Sequence, residues 1–380
     1  MTPPLLLHVF PSFAIGGAQA RLITLAERFG ARYRHAIVAM DGDTSAGARL
    51  PSSVEVSYPR VNIRKGDTLG NLRRIRRAVA EIAPDVLITS NWGSIEWALI
   101  NLFPAVPHIH MEDGFGPEER DRQLPRRVWT RRLALRRALV MLPSRTLLAI
   151  AEDVWKLPRG NLRYIPNGID LTRFRPATAT RARDEMSITI GTVAGLRAEK
   201  NVERLLRAFA ILRASRPASL IVAGDGPERA RLERLAGELG IAADVSFVGQ
   251  LDDPAPLYHR LDIFALSSDT EQMPISVLEA MAAGLPVAAT DVGDIAGMIS
   301  TSNAGFLAAR DAPSLADSLA RLASDAWSRR TIGAANRARV EQDYDIARMV
   351  RAHAALIEEA RVGSARRSQQ NKATMPDTSL

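Results

Sequence analysis

Two glutamates eight residues apart, Glu271 and Glu279, lie in the string SSDTEQMPISVLEAMAAGLPVAATDVGD, residues 267–294. Pro274 between them suits the first turn of a helix, where its missing N–H costs nothing. Peptide N–H groups of Gln272, Met273 and the first helical turn then point out of the helix N-terminus, a setting that favours anionic or polar ligand groups. Glu271 falls just before that terminus and Glu279 one to two turns inside it. A ligand lying along the helix can meet both carboxylates, and hydroxyl groups are the natural donors to them. The same spacing also fits a capped surface helix with two solvated acids.

Other chemistry-bearing residues are spread along the chain. Gly16-Gly17 follows an apolar run, and without Cβ atoms its backbone can approach a pyrophosphate or a sugar closely. His108, His110 and Glu112 share one face if residues 106–111 form a strand, which suggests either a metal site without an evident fourth ligand or histidines hydrogen-bonded in a core. Asp41-Gly42-Asp43 reads as a turn ending a strand. Neither G-x-G-x-x-G nor a Walker A string occurs, which argues against a dinucleotide oxidoreductase and an NTPase.

The elements that must position these groups alternate. Residues 5–10, 35–40, 85–89 and 106–111 read as strands, with helical stretches at 19–29 and 69–82 between them. Turn residues at 166–176 (PNGIDLTRFRP) break the pattern, and it restarts with strands at 187–193, 219–223, 245–248, 263–266 and 286–290. Helices are expected at 201–213, 229–239 and 274–283. Short strands alternating with helices predict two doubly wound α/β domains in tandem. Expected boundaries are a first domain at 1–168, an interdomain segment at 169–185 and a second domain at 186–344. Residues 345–362 form a last helix, and 363–380 are polar and without periodicity, so a disordered tail is expected there.

Composition sets the outer limits. The chain has 380 residues, with hydrophobic residues at 46% and charged residues at 24%, values that exclude a largely disordered protein. With no cysteine, a thiolate nucleophile, an iron–sulfur cluster and a disulfide scaffold are excluded. The start MTPPLLLHVF lacks a basic n-region, and no run of 18 apolar residues occurs, so a cytoplasmic location is expected. The net charge of +8 is unevenly placed: residues 1–175 hold 26 basic and 16 acidic residues, and residues 176–380 hold 24 and 26. Eight Arg lie between Arg120 and Arg137 around Trp129, and Arg73, Arg74, Arg76 and Arg77 face away from the apolar stripe of their helix. Such a basic half suits the inner face of an anionic membrane, a lipid-diphosphate acceptor, or an ordinary solvated Arg-rich surface. Nucleic acid is disfavoured, because aromatics are 5% and no stacking motif is visible.

The string at 267–294 resembles the retaining glycosyltransferases of family four. Ser268, Glu271, Pro274, Glu279, Ala280, Met281, Gly284, Pro286, Val287, Thr290, Asp291 and Gly293 match the family's E-x7-E motif and the turn after it. The resemblance covers about residues 5–360, including Gly16-Gly17, PNGID with Phe174, Leu196 with Glu199-Lys200-Asn201, and Gly224-Asp225-Gly226-Pro227. It implies the GT-B fold, two Rossmann-like domains facing a central cleft, with residues 345–362 crossing back to the first. It further implies sugar transfer, with retention and without a metal, from a UDP- or GDP-sugar to a glycan or lipid-linked acceptor. By that resemblance Lys200 stabilises the departing phosphates, since a fixed cation offsets charge as it develops. The family's partner arginine is replaced here by Gly195, and Arg197 is the nearest substitute. Glu279 takes the ribose hydroxyls, and Glu271 with Gln272, Met273 and Pro274 orients the sugar. His110 faces that sugar, while Gly16, Gly17 and Gly224 line the donor site. A nucleotide-sugar epimerase on the same fold and a non-catalytic membrane-associated protein are the competing readings.

Overall fold

The computed structural model describes residues 2–64, 66–102, 106–119, 122–177 and 187–373. These fall into two compact units, Met1–Pro166 with Met349–Leu380, and Asn167–Arg348. The strands of the first unit are β1 Leu5–Phe10, β2 Arg34–Ala39, β3 Val56–Ser57, β4 Val86–Ser90, β5 His108–Met111, β6 Leu139–Leu142 and β7 Leu162–Tyr164. Its helices are α1 Gly17–Phe29, α2 Thr68–Ile82, α3 Ile95–Ile100, α4 Pro125–Ala134 and α5 Arg145–Asp153. All seven strands are parallel, in the order β3-β2-β1-β4-β5-β6-β7.

The second unit has strands β8 Ile188–Val193, β9 Ala218–Ala223, β10 Val245–Gly249, β11 Ile263–Leu266, β12 Val287–Thr290 and β13 Leu307–Ala308. They form a parallel sheet in the order β10-β9-β8-β11-β12-β13. Its helices are α6 Val202–Arg213, α7 Arg229–Glu238, α8 Ala255–Tyr258, α9 Ile275–Ala282, α10 Ile295–Met298, α11 Ala312–Ser324 and α12 Ala326–Asp343. The last helix, α13, runs Ile346–Ala373, and from Met349 onward it belongs to the first unit.

Strands buried on both faces explain the near-continuous apolar runs in the sequence. In the second unit, Ile190, Leu220, Val222 and Ala265 turn to one side and pack with Phe209 of α6 and Leu319 of α11. Their neighbours Ile221, Ala223, Phe264 and Leu266 turn to the other side, against Leu278 and Met281 of α9. Local chemistry starts several helices. Asp67, Ser144, Asn201, Asp311 and Asp325 each accept a hydrogen bond from a peptide N–H of the first turn that follows.

Three expectations change. The interdomain segment expected at 169–185 is not a free linker in its described part: Phe174 is buried against Tyr258, and Ile169 N donates to Tyr344 O, all within the second unit. The tail expected to be disordered from 363 is helical along the backbone through Ala373, and 374–380 lie outside the described residues. Pro274 occupies the cap of α9 and not its first turn. Strands β6 and β7 are also present where the sequence pattern suggested none, because each is only four or three residues long.

Candidate active site

Both sheets reverse their strand order once, between β1 and β4 in the first unit and between β8 and β11 in the second. Loops leaving the carboxyl ends of strands on either side of such a switch diverge and leave a crevice, where open α/β sheets bind ligands. In the second unit the two loops are residues 194–201 and 267–274, and they carry Lys200 and Glu271.

The two loops are bound to each other. Asp269 N donates to Glu199 O at 2.9 Å, and Ser267 Oγ donates to Lys200 O at 3.1 Å. Arg204 Nη2 donates to Asp269 Oδ1 at 2.6 Å and its Nη1 to Ser267 O at 2.7 Å. Asn201 sits at φ 42°, caps α6 through Arg204 N, and gives its amide to Asp269. Lys200 Nζ lies 2.6 Å from Glu271 Oε1, which also accepts from Ser268 Oγ at 2.7 Å. Lys200 and Glu271 are therefore one ion pair, and Glu271 is only 8% exposed.

Glycine supports this arrangement at two places. Gly224 has φ +133°, and a Cβ there would sit 1.9 Å from Ala194 O, at the start of the loop carrying Lys200. Gly293 has φ +58°, and its Cβ would meet Glu271 O at 2.0 Å. Gly224 lets two loops touch, beside the loop that carries Lys200. The 293 turn backs Glu271 in the same way, helped by Thr290 Oγ1, which donates to Ser268 O at 2.6 Å.

Glu279 projects from α9, one turn inside. Tyr258 Oη donates to its Oε2 at 2.6 Å, and no donor among the described residues bonds Oε1. Burial pushes the Glu279 carboxyl up to about 7, partly offset by the Tyr258 hydrogen bond and by Arg173. Tyr258 is itself buried, with Phe174 and Phe264 rings each 5.8 Å away. The Gln272–Met273–Pro274 segment is fixed from outside the motif, because Asn167 Nδ2 donates to Met273 O at 3.0 Å. Arg197 is 61% exposed and paired with Glu199 at 2.9 Å. Its Nε lies 3.7 Å from where a Cβ at Gly195 would be, so its side chain lies over the missing one.

In the first unit, Gly16 caps α1 with extended backbone and without strain, and its Cβ position is covered by the Gln19 side chain. His110 is fully buried. Its Nδ1 and the Nε2 of His108 both lie 2.8 Å from Thr89 Oγ1, so one hydroxyl joins the two rings. Burial lowers His108 to about 3, which keeps that ring neutral. His110 Nε2 has no hydrogen-bond partner among the described residues and lies 3.6 Å from Glu112 Oε2. Asp41 and Asp43 spend carboxylate oxygens on the peptide N–H groups of Asp43 and Ser45, as a turn requires. Sequence reading missed Tyr258, Arg204, Asp269 and Asn167. It also missed Arg21, which holds Asp113 through two bonds of 2.5 and 2.8 Å. The only sequence signal for any of these was closeness to a recognised motif, as with Arg204 and Asp269.

The chain is similar to known glycosyltransferases. Residues 15–173 match the pattern described as Glycosyltransferase Family 4, and residues 177–339 match Glycosyl transferases group 1. A GDP-mannose-dependent alpha-(1-6)-phosphatidylinositol monomannoside mannosyltransferase of Mycobacterium tuberculosis is 32% identical over 197 residues, 47% of this chain and 51% of that one. An N-acetyl-alpha-D-glucosaminyl L-malate synthase of Bacillus anthracis is 28% identical over 207 residues, 53% of this chain and 54% of that one. The chain thus spans about half the length of these curated relatives. The crystal structure of Anabaena HepE in complex with UDP-glucose superposes with a TM-score of 0.79 at 20% identity, over 94% of this chain and 100% of that one, and so shares the fold. With two family patterns that together run from residue 15 to 339 and a matching two-unit GT-B fold, the chain belongs to glycosyltransferase family four.

Proposed function

We propose that the protein transfers a sugar from a nucleoside-diphosphate sugar to a glycan or lipid-linked acceptor, with retention of configuration and without a metal. The observation that supports this is the Lys200–Glu271 pair at the strand-order switch of the second unit, with Glu279 one turn inside the helix that follows. Lys200 and Arg197 supply positive charge for the diphosphate as it departs. Glu279 offers Oε1 to the ribose hydroxyls while Tyr258 occupies Oε2. Glu271 and the Gln272–Met273 backbone orient the sugar. In the reaction, the bond from the sugar C1 to the diphosphate oxygen breaks while the acceptor oxygen bonds C1 on the same face. The acceptor proton passes to the departing phosphate oxygen.

In the first unit, His110 is kept as a substrate contact through Nε2, the atom without a hydrogen-bond partner among the described residues. The acceptor is assigned to this basic unit, at the inner face of the plasma membrane. No helix among the described residues is long and apolar enough to cross a membrane, so the contact proposed is peripheral. The ion pair bears on how Lys200 works: the diphosphate must share its ammonium with Glu271 or displace that carboxylate. The test is a panel of UDP- and GDP-sugars scored for thermal stabilisation, then for nucleoside diphosphate release with lipid-linked acceptors, with and without EDTA. Acceptor-dependent release insensitive to EDTA is expected. Turnover of the donor without acceptor and without diphosphate release would identify an epimerase instead.

A further inference from the structure

The Arg-rich stretch at 120–137 does not divide into clean faces on a helical wheel, and the structure shows why. Two of its arginines point inward. Arg131 is fully buried, holds Glu119 through bonds of 3.0 and 2.9 Å, and reaches Glu112 at 3.3 Å. Its guanidinium lies 5.0–5.3 Å from the rings of Trp92, Phe115 and Trp155. Arg127, beside it, pairs with Glu118 and Glu119. Both are structural, and their charge is spent inside the unit.

The remaining described arginines, Arg122, Arg126, Arg132, Arg136 and Arg137, are exposed. None is paired with a carboxylate among the described residues. Arg126 and Arg132 lie on α4, Arg122 just before it and Arg136 and Arg137 in the turn after it, and Trp129, 67% exposed, sits among them with Leu133 at 48%. The Arg132 guanidinium stacks over the Trp129 ring at 5.3 Å. Beside them opens a shallow groove of about 360 Å³ between Trp129, Val128, Pro125 and the half-exposed Val154. α2 differs: of its four arginines, Arg74 and Arg77 are paired with Asp67 and Glu81.

We propose that the outward face of α4 is the surface by which this protein docks on an anionic phospholipid bilayer. Uncompensated cations alone would suit any polyanion, and an exposed apolar face alone would suit many partners. Their interleaving on one face selects a surface that is negative at its boundary and apolar just beneath. Indole rings settle at such a boundary, where the ring meets acyl chains and the N–H meets headgroups. Arginine stems lie along the apolar layer while the guanidinium groups remain with phosphates. A nucleic-acid strand would need a row of stacking aromatics, whereas this face has one indole, already covered by Arg132. The placement adds a specific face to the membrane contact proposed above, and it does not depend on the donor chemistry.

The test uses the full chain with vesicles of 70% phosphatidylcholine and 30% phosphatidylglycerol, against pure phosphatidylcholine, read by co-sedimentation without any nucleotide sugar. Binding to the anionic vesicles is expected, with a blue shift in indole emission that Trp129→Phe removes. Each exposed arginine contributes about a fivefold gain in partitioning, so Arg126→Ala with Arg132→Ala should weaken binding by ten- to thirtyfold. Trp129→Ser alone should weaken it measurably at constant charge. Arg73→Ala with Arg76→Ala on α2 removes the same charge from another face and should change binding less than threefold. Equal losses from the α2 and α4 pairs would reduce the effect to net charge and overturn the proposal. Absence of binding to anionic vesicles would overturn it too, as would equal binding to a duplex that the same variants abolish. Because nucleotide-sugar stabilisation is measured separately, failure here leaves the transferase reading untouched.

Discussion

Acidification through neutrality should release the donor, and Glu279 sets the midpoint. Its carboxyl is raised from 4.5 to about 7, first by burial, with Asp253 adding repulsion and with Tyr258 and Arg173 acting in the opposite direction. Ribose hydroxyls donate to a carboxylate, so only the ionised form binds well, and protonation competes with the ligand. With a midpoint near 7, apparent affinity should be nearly full at pH 8, about tenfold weaker at pH 6 and about a hundredfold weaker at pH 5. The sign for stability is the opposite. A group that binds its proton more tightly folded than unfolded makes the fold lose stability as pH rises from 4.5 to 7. At about 1.4 kcal/mol per unit the loss is at most about 3 kcal/mol, and bound donor should recover it. Tyr258→Phe keeps the ring between Phe174 and Phe264 but removes the hydrogen bond to Oε2. The carboxyl should rise further, moving the acid limb of binding up by about one pH unit. Titration calorimetry with a nucleoside diphosphate, in buffers of differing ionisation enthalpy, reads both affinity and proton release. Glu279→Gln should flatten the pH curve. Affinity constant from pH 5.5 to 8.5 with no proton release in the wild-type protein would refute the reasoning. So would a Glu279→Gln curve identical to the wild-type one.

Three further outcomes follow from the same geometry. Lys200→Ala and Glu271→Ala should each weaken donor binding by more than tenfold, and the double variant should lose much less than the sum, because the two side chains act as a pair; additive losses in calorimetry would show independent roles. Gly224→Ala should cost at least 2 kcal/mol in chemical denaturation and should also lower activity, since its methyl would strike Ala194 O and shift the loop bearing Lys200. Arg131→Ala should destabilise the first unit by about 3–5 kcal/mol by leaving Glu112 buried without its cation and Glu119 with Arg127 alone, and a melting temperature within a degree of wild type would contradict that.

Strands were easier to read in the sequence than the groups that hold the site. Residues 5–10 and 263–266 stood out because buried parallel strands are continuous apolar runs with turn residues at each end. Strand β13, two residues long, carries no such pattern, and α4 was obscured because Arg127 and Arg131 fill core positions that an amphipathic pattern reserves for apolar side chains. Around the site, Glu271, Glu279 and Lys200 were singled out through the resemblance of two motifs, at 196–201 and 267–294, and not by the spacing of two glutamates alone. Tyr258 was not, since a tyrosine in a short helix 21 residues upstream of Glu279 carries no local mark of its partner. The pairing of Lys200 with Glu271 was equally invisible, being a contact across 71 residues of sequence.

Arg197 is proposed to supply, two residues further on, the cation that the resemblance places at position 195. A site that must oppose diphosphate charge needs a guanidinium within reach, not an arginine at one position. Gly195 has no Cβ, the nearest atoms to that empty direction are Arg197 Nε at 3.7 Å and Asp225 O at 4.0 Å, and Arg197 lies across it. A Cβ at 195 would stand in ordinary contact with the Arg197 side chain, so the two positions present side chains to the same region. Because Gly195 is exposed and its backbone lies outside the left-handed region, an arginine there meets no steric bar. The double variant Gly195→Arg with Arg197→Ala should therefore recover most of the diphosphate affinity that Arg197→Ala loses. Recovery would place the cation by its reach into the site, and a loss as large as that of Arg197→Ala alone would tie the function to residue 197 and its pairing with Glu199.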